Sequence, residues 1–264
     1  MKKENKAFFI PDEKFIKKLF SIPFTDIDLE RIQTVYEIFE SNYVGLVTDL
    51  KFECIQRDGL VPRTNNLDFL LKFKNTEYQI GVDLPILLTN DLKNNKTIFI
   101  VAEDPLRSFS HPQNGIILST PFGIHIPENR SSRLKVYWEI IEHLIEMGFN
   151  VYLTDINKVW IKHIRNPKES IPGDLFESFK LALHWEIQTF KPVLVITFGN
   201  LASVSINKYN LYEGEILELP HPSPSANRKW KEILNRDNQS LPVRCTITNK
   251  LAYMKERLGN IIKM

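Results

Sequence analysis

The run Val193-Leu194-Val195-Ile196-Thr197-Phe198-Gly199 decides how the rest of the chain is read. It is short, β-branched, uninterrupted by charge and closed by glycine. That is the pattern of a strand buried on both faces, not of one with a wet side. Upstream, Thr97-Ile98-Phe99-Ile100-Val101 and Asn150-Val151-Tyr152-Leu153-Thr154 have the same character, and residues 215–219 read as a fourth strand. Helical patterns separate them: 132–147, closed by Gly148, and 173–190, ended by Pro192. Asn200 opens a short helix, and further helices are expected over 226–235 and 249–262. Alternation of this kind predicts an α/β fold, a three-layer α/β/α arrangement around a central, mostly parallel four-stranded sheet.

The N-terminal part reads differently. Residues 11–41 form two amphipathic helical patterns, with Ile27, Leu29, Ile32, Val35, Tyr36, Ile38 and Phe39 at helical spacing. From 42 to 95, short apolar runs alternate with turn residues and match no familiar unit. The expected organisation is an N-terminal helical and irregular extension, 1–95, packed on an α/β domain, 96–264.

Bulk properties exclude more than they assign. At 264 residues with 43% hydrophobic and 25% charged residues, the chain is ordinary for a globular protein with a full core. A net charge of +2 gives no bulk attraction to nucleic acid, so local clusters would have to supply it. Cys54 and Cys245 stand far apart without ligand spacing, and the six histidines show no paired spacing. No zinc, iron–sulfur or disulfide framework is expected, nor any cofactor, and a reducing compartment is favoured. No apolar stretch of about twenty residues exists to span a membrane, and no signal-type core follows the basic start. The expectation is a cytoplasmic monomer.

In open parallel sheets, ligands sit outside the carboxyl ends of the strands. That rule places Glu103-Asp104, residues 155–158, Gly199-Asn200 and residues 221–225 on one rim. Asp104 follows a buried strand and precedes Pro105, which keeps a helix from starting on top of it. A lone aspartate there reads first as a turn or helix cap, and a lone histidine under a loop as a packed side chain. In Leu219-Pro220-His221-Pro222-Ser223-Pro224-Ser225-Ala226, however, three prolines lock a loop that carries His221 from a strand exit. Two such groups on one rim, each beside proline, favour a functional reading.

With these residues in hand, the chain resembles the uracil-DNA glycosylase superfamily over about 96–235. Ala102-Glu103-Asp104-Pro105 is similar to that family's first motif, Gly-Gln-Asp-Pro-Tyr in one branch. His221-Pro222-Ser223-Pro224-Ser225 is similar to its closing motif, His-Pro-Ser-Pro-Leu-Ser, without the leucine. Tyr152-Leu153-Thr154-Asp155-Ile156-Asn157-Lys158 resembles the middle segment, and residues 195–202 the strand–glycine–helix before the closing motif.

The resemblance implies hydrolysis of an N-glycosidic bond to uracil, or to a related deaminated or modified base, flipped out of single- or double-stranded DNA. It gives Asp104 the task of positioning water and stabilising the sugar cation, with Glu103 beside it as a substrate-binding residue. His221 would be a neutral donor to the departing base. Ser223, Ser225 and Asn227 would hold flanking phosphates, with Arg228, Lys229 and Lys231, and Arg130, Arg133 and Lys135, as basic surroundings. For the aromatic under the base, one alignment offers Leu118 and another Phe122, the latter favoured as the aromatic in that run.

Departures from the motif bear on the substrate. Leu106 stands where that branch has a methyl-excluding tyrosine. Asp155 stands where an asparagine reads the base, and an ionised carboxylate offers only acceptors. Either Asp155 suits a base with an exocyclic amine, or Asn157 does the reading. Two other hypotheses compete: a glycosylase fold that binds DNA or a protein without excision, and a small-molecule enzyme such as a nucleoside hydrolase. A glycine-rich phosphate loop after Thr97-Val101 is absent, which argues against dinucleotide or triphosphate chemistry.

Overall fold

The computed structural model describes residues 12–45, 53–90, 96–105, 114–131, 134–165, 168–236 and 243–262, together with the backbone of 7–9. Leu106 and Arg133, and the expected helix start at Ser132, lie outside the described residues. The strands are β1 (Ala7–Phe9), β2 (Phe24–Ile27), β3 (Glu53–Ile55), β4 (Leu60–Pro62), β5 (Tyr78–Asp83), β6 (Ile86–Thr89), β7 (Thr97–Ala102), β8 (Ile116–Ser119), β9 (Asn150–Asp155), β10 (Trp160–His163), β11 (Leu194–Phe198) and β12 (Ile216–Leu219). The helices are α1 (Glu13–Ser21), α2 (Leu29–Tyr43), α3 (Leu67–Lys74), α4 (Pro127–Ser131), α5 (Lys135–Glu146), α6 (Gly173–Phe190), α7 (Asn200–Lys208), α8 (Asn227–Leu234) and α9 (Ile247–Ile262).

Among the described residues the central sheet has the order β1-β6-β9-β7-β11-β12. Four of its six strands, β9, β7, β11 and β12, are mutually parallel, as the alternating pattern predicts. The sheet exceeds the expected four strands because β6 and β1 add antiparallel at one side. Period-two alternation sends successive side chains to opposite faces. Ile98, Ile100, Val151, Leu153, Leu194, Ile196 and Phe198 enter one apolar core with residues of α5 and α9. Phe99, Val101, Tyr152 and Val195 enter another, with Leu183 and Ile187 of α6 and Ala202 and Ile206 of α7. Two cores on one sheet make the three layers.

The N-terminal part supplies α1, α2 and α3, each opened by a side-chain cap: Asp12, Asp28 and Asn66 accept from backbone N–H groups at 2.8, 3.0 and 2.8 Å. It also supplies strands that the sequence pattern does not separate. β6 pairs antiparallel with β9 and β1 with β6, extending the central sheet. A second sheet, order β10-β5-β8-β3, joins residues remote in sequence. Only Leu84 and Pro85 separate β5 from β6, and residues 156–159 carry the chain from β9 into β10. The rim loop after β9 is therefore tethered to a sheet at each end.

Candidate active site

Register across the parallel strands fixes the rim. Ala102 lies opposite Asp155, Thr197 opposite Val101, and Phe198 opposite Leu219, so the four strands end at one level. Backbone bonds extend the ladder past the strand ends. Ile156 N–H donates to Ala102 O at 3.0 Å, Asn157 N–H to Glu103 O at 2.9 Å, and Gly199 N–H to Leu219 O at 2.9 Å. Along the rim the order is Asp155 to Asn157, Glu103-Asp104, Gly199, then His221. The exits carrying Asp104 and His221 are two strand spacings apart, about 10 Å. Gly199 has φ +97°, a conformation other residues rarely adopt, and a Cβ there would come to 4.0 Å of the His221 Cβ.

His221 is held by several groups. Its carbonyl accepts from Trp230 Nε1–H at 3.0 Å. Ser223 N–H donates to Nδ1 at 3.3 Å, and the Ser223 hydroxyl lies 2.7 Å from the same nitrogen. An Nδ1 that accepts from a backbone donor leaves the ring proton on Nε2. The Tyr137 hydroxyl lies against the ring edge, 2.9 Å from Nε2 and 3.1 Å from Nδ1. Burial, with a smaller contribution from Lys250, pushes the His221 pKa down, while the Glu103 carboxylate opposes it. The Glu103 influence on His221 links the first and closing motifs electrostatically.

Asp104 has a side chain only 5% exposed, and its carboxylate is in contact with Lys168 Nζ. Lys168 also lies 3.4 Å from Glu103 Oε1, whose side chain is half exposed. Lys168 follows β10 in an extended segment bridged to Lys162, and the sequence reading missed it. Asp155 and Asn157 are both buried at the β9 exit. The Asn157 side-chain oxygen has no hydrogen-bond partner among the described residues. Below them Lys158 Nζ donates to Thr154 Oγ1 and Glu186 Oε2, both at 2.6 Å, while the Tyr152 and Thr154 hydroxyls donate to Glu186 Oε1 at 2.8 and 2.9 Å. Glu186, from α6, is fully buried.

Phe122 follows β8 with φ +58°, a left-handed conformation costly for an aromatic residue. The turn is held by Gly123 N–H to Thr120 O at 2.7 Å and by a 2.9 Å bond between Thr120 Oγ1 and His125 Nδ1. One Phe122 face is stacked on Tyr137, centroids 4.2 Å apart. Leu118, the other candidate, is fully buried in β8.

In the closing loop the Ser223 and Ser225 hydroxyls lie 2.6 Å apart. Arg228 and Lys229 are exposed at the start of α8, with Arg228 3.2 Å from Glu232. Asn227 turns inward: its side-chain oxygen accepts from Lys250 Nζ at 2.8 Å and from the Cys245 thiol at 3.4 Å. Arg130 lies over the Tyr43 ring at 4.3 Å and donates to Tyr43 O at 2.8 Å, and Lys135 pairs with Glu139 at 3.2 Å. Tyr137, Lys168, Glu186 and Lys250 are the site-lining residues that motif reading did not find. Each sits outside the motifs, in a pattern indistinguishable from ordinary helix or loop sequence.

Among the described residues no cluster of three or more His, Cys, Asp or Glu is placed to hold a metal ion. None of their helices is long and apolar enough to cross a membrane. No curated protein matches the chain significantly. The family model described as the uracil DNA glycosylase superfamily does match, over residues 90–241, a span that contains the whole rim and more than half of the chain. With its parallel sheet, its ordered motifs and this match, the chain belongs to the uracil-DNA glycosylase superfamily.

Proposed function

We propose that the protein is a DNA glycosylase that hydrolyses the N-glycosidic bond of uracil, or of a related deaminated or modified base, flipped out of DNA. The observation that carries this reading is His221. Its Nδ1 accepts from the Ser223 N–H, burial favours the neutral ring, and it stands on the rim that also carries Asp104, so that a neutral ring bears its proton on Nε2. As the bond breaks, negative charge grows on the base, and the Nε2–H donates to a base oxygen that bears it. A preorganised donor of this kind contributes roughly 3–4 kcal/mol to the barrier reduction. The Asp104 carboxylate stabilises the cationic sugar and orients the attacking water. Water adds to C1′, its proton passes to Asp104 or solvent, and the base leaves with the bonding electrons.

Ser223, Ser225 and the exposed Arg228 and Lys229 hold the phosphates beside the flipped nucleotide. Phe122 packs against the base plane. Base reading falls to Asp155 and Asn157, and Asn157 supports the assignment because its buried oxygen is an acceptor without a donor among the described residues. Acceptors on both side chains favour a base that offers N–H groups on the edge it presents. The two-part organisation, an N-terminal extension on a 96–264 domain, remains part of this proposal.

One observation favours a second reading, a glycosylase fold that binds DNA without excising a base. Asp104 is already engaged by Lys168, and His221 by Tyr137. The experiment that separates the two uses end-labelled single- and double-stranded oligonucleotides carrying uracil, hypoxanthine, xanthine or 5-hydroxymethyluracil. Abasic sites are expected from at least one base, and Asp155→Asn is expected to shift preference toward uracil. Salt-dependent DNA binding with no abasic product from any of them would favour the binding module.

A further inference from the structure

The closing loop rests on a lysine that lies beyond the matched span. Lys250 belongs to α9 and is only 4% exposed. Its Nζ donates to Pro222 O at 2.9 Å and to Asn227 Oδ1 at 2.8 Å, and lies 5.6 Å from the Trp230 ring centroid. Both acceptors are neutral, and among the described residues Lys250 forms no ion pair with a carboxylate. Withdrawing an ammonium from water without an anionic partner is costly, and a surface-facing lysine on the same helix would avoid that cost. Its neighbours Leu251, Met254 and Leu258 fill the apolar core that includes Trp230. Helix packing thus drives the ammonium to the underside of the loop bearing His221.

We propose that Lys250 is a positioning residue of the candidate active site: from α9 it fixes the Pro222 carbonyl and the Asn227 side chain, and so sets where His221 points. This rests on the glycosylase reading for its catalytic consequence, though not for its geometry. Consecutive carbonyls of the loop are each anchored from a different helix. Trp230 of α8 holds His221 O at 3.0 Å, and Lys250 of α9 holds Pro222 O. Between these anchors the imidazole has little freedom to turn away from the rim.

The charge adds a second effect. The groups facing His221 are Glu103 from the β7 exit, the Tyr137 hydroxyl from α5, Ser223 from its own loop and Lys250 from α9. Glu103 favours the imidazolium, and Lys250 and burial favour the neutral ring. Burial is the larger influence, and the lysine adds to it against the carboxylate that the first motif brings close.

The test uses the full chain with Lys250→Met, which removes both charge and donors, Lys250→Gln, which keeps a donor, and Lys250→Arg, which keeps both. The His221 ring is titrated by NMR without DNA, its signal identified by loss in His221→Gln. Both uncharged variants are expected to raise the His221 midpoint, and Lys250→Arg to leave it near the wild-type value. In single-turnover excision, Lys250→Met is expected to slow the chemical step by roughly tenfold to a hundredfold while DNA affinity stays within about twofold. Lys250→Arg should recover most of that rate. Should Lys250→Met fail to fold, Lys250→Gln carries the same comparison. A folded uncharged variant with an unchanged titration and an unchanged rate overturns the proposal and leaves the glycosylase reading intact. A shifted titration in a protein that excises nothing supports the lysine's role and counts against the glycosylase reading.

Discussion

Burial outweighs the Glu103 carboxylate at His221, and this balance sets how the site responds to pH. A free histidine titrates near 6.5, and in the folded protein the His221 value lies below that. The neutral form is therefore favoured by the native state. Its contribution to stability is present above about 6.5 and is lost as pH falls through the window down to the lowered folded value. Excision should likewise stay level through neutral pH, with an acid limb of kcat/KM whose midpoint lies below about 6.5. A limb centred at or above that value would contradict a buried neutral donor. At this scale the sequence was informative where chemistry is tied to backbone punctuation. Asp104 and His221 were legible because prolines and strand exits flank them. Tyr137 and Lys250 were not, because a tyrosine or lysine on an amphipathic helix reads as packing or as a solvated face. Their role comes from the helix rotation that tertiary packing selects.

Elements explain how the rim is held in place. The β9 exit loop is held from below by Lys158 and Glu186, a buried pair bonded also to Thr154 and Tyr152. Removing one partner leaves the other charge uncompensated in the core. Glu186→Ala is expected to lower stability by about 3–5 kcal/mol in denaturant unfolding, whereas an exposed glutamate such as Glu232 should contribute well under about 1 kcal/mol. A Glu186→Ala protein as stable as wild type would show that the network does not anchor the loop. The central strands were readable because doubly buried parallel strands are continuous apolar runs. The second sheet was not. β3, β8 and β10 are short, and together with β5 they pair across long sequence separations, as where Trp160 meets Gly81 and Cys54 meets Ile117. A local window contains no trace of such pairings.

For the whole molecule, the fold converts distant sequence into one edge. Four parallel strands ending at one level align Asp155, Asp104, Gly199 and His221, while α6 and α9 supply buried charges from either side of the sheet. The N-terminal residues do not merely adjoin this edge, because β6 pairs with β9 and the α2 tyrosine Tyr36 donates to Pro85 O at 2.7 Å. Lys168 and Tyr137 engage Asp104 and His221, and on the proposed reading an entering nucleotide exchanges with both. The most direct measurement is single-turnover release of base from the best oligonucleotide substrate by wild type, Asp104→Asn and His221→Ala. The account predicts abasic product from wild type, with each variant slower by roughly a hundredfold or more and DNA affinity retained. Excision by wild type that survives both substitutions at full rate would contradict a reaction centred on these two residues.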